Sequence, residues 1–333
     1  GALVVVAREA DLAGALPHIV AAGPLVAFAL VPYLVQIALD ARAWKLLLGV
    51  LGHRVAWPRL VAIRLATESV LLTVPGGSLI GESLKPYLLS RSSTVPLSHT
   101  VASIGIKRSL LALAEAAYLA LALVLGHAAL ARSSQAILHT GALPALVAAA
   151  SAVLLLAAFG LGLAFMHGKV AMRVLAMAGR LPSRRVRAWL AAREAGFVSA
   201  DAAFAQIGQH RLAIAVAALV LFGAWLVEAG EAYLLCRIVG IDLPFAWVLA
   251  MEASVVFVRN LAFILPAGLG VQDAGYLAFL SAYGIATPTA TAFALLKRCK
   301  ELVWIAGGYL VLFVMDRGRG RASIVSLALG GPG

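Results

Sequence analysis

The chain has 333 residues, of which 62% are hydrophobic and only 13% charged, with a net charge of +12. Soluble domains are about 45–50% apolar and about 25% charged, so this composition and a mean hydropathy of +0.97 exclude an ordinary soluble domain. The charge does not point to nucleic acid, because the basic residues sit mainly between apolar spans, where the positive-inside bias puts them, and are not mixed with exposed aromatics.

In chain order, Gly1–Ala7 is apolar but far shorter than the ~20 residues a spanning helix needs. It reads as the tail of an upstream span or of a signal-like segment. Runs long enough to cross a bilayer follow at about Ala21–Leu39, Val101–Gly126, Leu143–Phe165, Leu212–Leu235 and Thr291–Met315. Two further runs are broken: Leu60–Val74 then Ser78–Leu89, and Ala246–Leu265 then Val271–Tyr283. Each breaks at a Pro-Gly elbow and reads as a re-entrant hairpin, whose non-helical tip must be buried in protein or line a wet cavity.

The two elbows match. Pro75-Gly76-Gly77, Glu82 and Lys107-Arg108 in the first half correspond to Pro266, Gly268, Asp273 and Lys297-Arg298 in the second. The separations 266 − 75, 273 − 82 and 298 − 107 are each 191. A break, a carboxylate and a basic pair are costly in hydrocarbon, and finding them twice predicts a transport site built from broken helices of a duplicated fold.

Lysine and arginine set the expected orientation. The segment 167–211, with Lys169, Arg173, Arg180, Arg184, Arg185, Arg187, Arg193 and Arg211, reads as cytoplasmic, as do 42–64, 85–91 and the tail with Arg317, Arg319 and Arg321. The stretches His127–Thr140, with Arg132 alone, and Gly284–Ala290, with no charge, are expected to face outward. These assignments agree only if the first hairpin enters from the cytoplasm and the second from outside. The expected fold is an all-α integral membrane protein, one transmembrane domain over 1–333, with an inverted repeat of span, re-entrant hairpin and span. Repeat 1 covers about 20–126, the connecting span 143–165, the basic segment 167–211 and repeat 2 about 212–315. Residues 169–193 read either as a helix lying on an anionic leaflet or as a solvated loop.

The candidate substrate-binding residues are Pro75, Gly76, Gly77, Glu82, Lys85, Lys107, Arg108, Pro266, Gly268, Gly270, Gln272, Asp273, Lys297 and Arg298. Helix N-termini after Gly77 and Gly268 would offer free N–H groups and a positive dipole end to a phosphate or carboxylate. The basic pairs would add charge-assisted contacts. The competing structural reading is that Glu82–Lys85 (i,i+3) and Lys297–Glu301 (i,i+4) are internal ion pairs. Glu228, Glu231 and Glu252 are candidates for proton relay as intramembrane carboxylates without an obvious local base, or else pair with Arg259, Arg298 or Lys300. Arg64 and Glu68 (i,i+4) read as structural. Asn260 reads as a group bonding the opened backbone, and Trp44, Trp57, Trp247 and Tyr283 as interfacial anchors.

Enzyme signals are poor, and no metal or other cofactor is expected. The seven histidines are scattered, none pairs at i,i+4 as a helical metal site requires, and no Gly-x-Ser-x-Gly elbow occurs. Gly268-x-Gly270 starts like a dinucleotide fingerprint but lacks the third glycine and the preceding strand.

Several of these residues resemble a flippase-like membrane family that includes the transmembrane region of lysylphosphatidylglycerol synthase. The resemblance rests on Arg42-Ala43-Trp44, on Pro75-Gly76-Gly77 with Gly81-Glu82 and Lys85, and on the block Pro266 to Gly275 with the trailing Arg298. Two positions depart from the family pattern: Leu111 stands where an acid is frequent, and Asp273 where Glu is more usual. Lys107-Arg108 with Glu115 is similar to the subgroup associated with hopanoid biosynthesis. The resemblance implies movement of an amphipathic lipid, anionic-headed or of hopanoid or polyprenyl type, between leaflets of a bacterial-type inner membrane. It implies no aminoacyl transfer, since the synthase's aminoacylating domain is not in this sequence. The rival expectations are a secondary transporter for a small soluble anion, a membrane-embedded enzyme on lipid-linked substrates, and a scaffold of a lipid-synthesis complex.

Overall fold

The computed structural model describes residues 11–74, 77–167, 169–178, 190, 192–261 and 270–317. Among them there are helices and no strands. In order these are α1 (Leu12–Ala22), a 3-10 segment Gly23–Ala29, α2 (Leu30–Val50), α3 (Trp57–Thr73), α4 (Gly77–Ser92), α5 (Leu97–Leu138) and α6 (Ala142–His167). Then come α7 (Val170–Ala178), α8 (Glu194–Gln209), α9 (Arg211–Ile238), α10 (Phe245–Leu261), α11 (Val271–Ala282) and α12 (Thr287–Arg317). Four helical stretches are long and apolar enough to cross a membrane: Leu12–Val50, Leu97–Leu138, Ala142–Phe165 and Arg211–Ile238. Helix α12, at 31 residues, is long enough as well, but Lys297, Arg298, Lys300 and Glu301 interrupt its apolar run.

The predicted hairpins fall on α3–α4 and α10–α11. Their elbow residues Pro75, Gly76, Pro266 and Gly268 lie outside the described residues, as do Arg180, Arg184, Arg185 and Arg187 of the basic segment. One boundary is corrected. The span expected to end at Gly126 runs on, because α5 continues through His127 to Leu138 and stops at His139, whose φ of +53° ends the helix in the left-handed region. At ~1.5 Å per residue this 42-residue helix is about twice the ~30 Å hydrocarbon core. Nothing in 127–138 breaks a helix: the segment is rich in Ala, Leu and Ser and contains no Gly or Pro after Gly126.

Helix order repeats along the chain. The starts of α3, α4 and α5 precede those of α10, α11 and α12 by 188, 194 and 190 residues (245 − 57, 271 − 77, 287 − 97). Packing between the halves is reciprocal: α2 lies along α9, α3 along α12, and α10 along α5. Two glycines permit these crossings. A Cβ on Gly126 of α5 would lie 2.7 Å from Ala250 Cβ and 2.8 Å from the Ala246 carbonyl of α10. A Cβ on Gly308 of α12 would collide with Ser69 Oγ and the Leu65 carbonyl of α3. Small residues that let backbones approach are the usual means of packing helices in lipid, where hydrophobicity itself favours no helix–helix contact.

The core runs through α5, α9, α10 and α12, from Tyr118 and Leu130 to Leu221, Leu249 and Phe293. A second cluster joins α2, α3 and α4 through Trp44, Ile63 and Leu88. Helices α7 and α8 pack together at one end. There Asp201 of α8 accepts hydrogen bonds from the Ala171 and Met172 N–H groups, at 2.9 and 3.0 Å, and so satisfies donors that the start of α7 leaves open.

Candidate functional site

Charged residues on the apolar helices collect into two clusters, one in each half. In the first, Asp40 of α2 accepts from Lys107 Nζ of α5 at 2.6 Å and from Arg64 Nε of α3 at 3.1 Å. Arg64 also bonds Glu68 one turn on, and Tyr33 Oη lies 3.4 Å from Glu68 Oε1. Lys107 is 1% exposed. Its ammonium sits 5.7 Å from the Trp44 ring centroid, and the Trp44 indole N–H donates to Ser103 Oγ at 3.0 Å. Trp44 is therefore a buried partner of the charge cluster and not an interfacial anchor. Tyr283 is buried as well, whereas Trp57 is exposed and Trp247 half-buried.

Beside this cluster, Lys85 Nζ of α4 donates to Glu82 Oε1 at 2.6 Å, the i,i+3 pair anticipated from spacing. Arg108 of α5 approaches the same oxygen only to 3.7 Å and is 48% exposed. Glu82 Oε2 is buried without a hydrogen-bond partner among the described residues. The first half thus holds one orphaned carboxylate oxygen next to one half-exposed guanidinium.

The second cluster is more fully bonded. Lys297 of α12 donates to Glu252 Oε1 of α10 at 2.7 Å and to Tyr276 Oη of α11 at 2.9 Å, while Tyr276 Oη donates to Glu252 Oε2 at 3.2 Å. Arg298 grips Asp273 with two parallel bonds, Nε to Oδ1 at 2.7 Å and Nη2 to Oδ2 at 2.9 Å, the strong fork geometry of a guanidinium on a carboxylate. Its Nη1 reaches Glu301 Oε2 at 2.6 Å, and Gln272 Nε2 lies 3.3 Å from Glu301 Oε1. The expected Lys297–Glu301 pair does not form. Lys297 points across to α10 and α11, and Glu301 takes Arg298 instead.

Asp273 also accepts from the Gly270 N–H at 3.1 Å. Gly270, at φ +79°, takes the left-handed conformation that glycine adopts without strain. The helix starts at Val271, where the apolar run of the sequence also begins, and the Gly270 N–H is occupied by the chain's own carboxylate.

The three relay candidates each have a cationic partner, and for Glu228 and Glu231 it is one of those the alternative pairing reading named. Glu228 meets Arg259 at 3.6 Å, Glu231 bonds Lys300 and Glu252 bonds Lys297. Asn260 bonds Glu115 of α5, not opened backbone. Two contacts join the clusters: Gln36 Nε2 of α2 donates to Glu228 Oε2 of α9 at 2.8 Å, and Lys300 Nζ sits 4.9 Å from the Tyr33 ring centroid.

Sequence reading passed over Asp40, Tyr33, Gln36 and Tyr276. A signal for Asp40 was present, since it stands 191 residues before Glu231, the same offset as the elbows. Among the described residues no group of three or more His, Cys, Asp or Glu side chains is placed to hold a metal ion.

Membrane-crossing helices that bury charges in paired clusters define a multi-pass all-α membrane protein. Within that class, the sequence profile of the lysylphosphatidylglycerol synthase TM region matches residues 1–307, so the chain belongs to that family, one of membrane proteins with lipid-related function. No curated protein and no solved structure matches the chain.

Proposed function

We propose that this protein is not an enzyme but a flippase-like transporter, moving an amphipathic lipid with an anionic head group, of hopanoid or polyprenyl type in one version, between the leaflets of a bacterial inner membrane. One observation carries the reading: Arg108 is half exposed and loosely paired beside the orphaned Glu82 oxygen, while its counterpart Arg298 is fully engaged. A phosphate or carboxylate head group would complete Arg108 by charge-assisted hydrogen bonds and avoid much of the several kcal/mol that an unpaired polar group loses in lipid.

The recurring helix order and reciprocal packing support an inverted repeat, in which the two halves face opposite leaflets and rock about the α2–α9 contact. The bonded second cluster then serves as a rigid frame, and the basic segment 169–193 rests on anionic lipid. The test is leaflet transfer of a fluorescent anionic lipid in proteoliposomes. Glu82→Ala and Arg108→Ala should abolish transfer while the protein stays folded, Glu82→Ala with a lowered thermal midpoint because it leaves buried Lys85 without its carboxylate. Wild-type transfer rates in both variants refute the site. Absence of any transfer by the native protein, with its charges so largely paired, favours a membrane scaffold for lipid synthesis.

A further inference from the structure

A second site lies away from the intramembrane charges, at the end of the molecule where α8 packs. There the α2–α3 and α5-proximal loops meet around a cleft of about 460 Å³, lined by His53, Arg54, Val55, Arg59, Arg91, Ser92, Ser93, Thr94 and Val95. Gln206 of α8 donates to the Val50 carbonyl at the end of α2 at 3.0 Å, and Ser199 of α8 bonds Ser98 in the first turn of α5 at 3.0 Å, which ties the helix ends that flank the two loops to α8.

Three guanidiniums share this cleft, and no carboxylate lines it. Two are oriented from behind. Arg59 Nη1 donates to the Ser92 carbonyl at 2.7 Å, and Arg91 Nη1 donates to Tyr87 Oη at 2.6 Å. These bonds consume little of either donor fork. The side chains of Arg54 and Thr94 have no partner among the described residues. Buried Val55 and Val95 form an apolar floor.

Solvated loop arginines of the positive-inside kind would point apart, since like charges repel. Arg54 from the α2–α3 loop, Arg59 from the first turn of α3 and Arg91 from the end of α4 line one concavity with no neutralising acid in its lining, an arrangement that suits an anion. The volume lies within the ~300–1,000 Å³ typical of ligand pockets, and planar forks match a phosphate's oxygens by two bonds at once. We propose that this cleft is a phosphate-binding site, with Arg54 and Arg91 as the principal donors and Ser93 and Thr94 hydroxyls at its edge. The phosphate would belong to a lipid head group or to a soluble phosphate compound. This site does not depend on the transport reading.

The test uses the full chain in phosphatidylcholine nanodiscs. One arm titrates inorganic phosphate by calorimetry. The other adds phosphatidylglycerol to the nanodiscs and counts retained lipid by native mass spectrometry. The proposal expects binding in at least one arm, weakened about tenfold or more by Arg54→Gln with Arg91→Gln, as loss of two charge-assisted donors implies. Binding in the first arm identifies a soluble phosphate, and binding confined to the second a lipid head group. Should the double variant fail to fold, Thr94→Asp places a carboxylate among the arginines and should block binding equally. No binding in either arm, or variants that bind like the native chain, overturns the proposal.

Discussion

Asp40 and Glu231 stand 191 residues apart on corresponding helices, and each holds a buried lysine from the last helix of its own half. Lys107 serves Asp40 and Lys300 serves Glu231. A second pairing recurs beside it: the acid after each elbow, Glu82 or Asp273, faces an arginine of that same last helix, Arg108 or Arg298. The two halves thus share ion-pair wiring as well as helix order. Where they differ is in tightness: Arg108 stands 3.7 Å from Glu82, whereas Arg298 holds Asp273 by two bonds.

Lys300→Met tests the wiring. Glu231 is 2% exposed, and its salt-bridge partner among the described residues would be gone. Breaking a buried pair from one side costs about 3–5 kcal/mol, whereas removing both ions together is often nearly neutral. Unfolding in detergent should show a large loss for Lys300→Met and recovery of most of it in Glu231→Leu/Lys300→Met. Additive losses in the double variant would show that the two residues act independently.

Arg298→Lys keeps the charge and removes the fork. Lysine cannot span both Asp273 oxygens and Glu301 together, so the start of α11 should loosen. A loss of about 1–3 kcal/mol is expected for charge-assisted bonds, with faster amide hydrogen exchange at Gly270 and Val271. Unchanged exchange there would mean that the Gly270–Asp273 contact holds the helix start unaided.

Adjacent glycines of α12 make a controlled pair. Gly308 abuts α3, while a Cβ on Gly307 meets nothing within 4 Å. Overpacking costs about 1–3 kcal/mol, so Gly308→Leu should lower the thermal midpoint clearly and Gly307→Leu should leave it nearly unchanged. Equal effects would remove the α3–α12 crossing from the account.

Composition and the Pro-Gly elbows made the membrane class, the two helix pairs and the duplicated offset legible from sequence. Partner choice was not legible. Spacing along one helix suggested Lys297–Glu301, but a lysine at that register reaches α10 and α11 more readily than its own next turn, where Arg298 competes for Glu301. Asp40 was hidden for a related reason. The apolar run ends at Leu39, so the acid looked like the start of a loop, while α2 continues to Val50 and carries it into the interior. Trp44 misled because indole suits an interface and also suits a buried cation that needs a π face.

His53 and His99 supply the pH prediction. They lie in contact, Nε2 to Nδ1 at 2.8 Å, in the loop region beside the arginine-lined cleft. Burial, and then the neighbouring His99 ring, lower the His53 pKa from its ordinary value. The folded protein therefore favours neutral His53, and the unfolded chain takes up its proton at a higher pH. Stability from this contact is fully present above the ordinary histidine value of ~6.5 and is lost as pH falls through the lower folded value. A proton on His53 would also add charge beside Arg54, Arg59 and Arg91. The thermal midpoint in detergent should thus drop by a few degrees between about pH 7.5 and about pH 5.5, and His53→Gln should flatten that slope. A native profile that is flat over this range, or a variant with the native slope, would show that the histidine pair carries no linked proton.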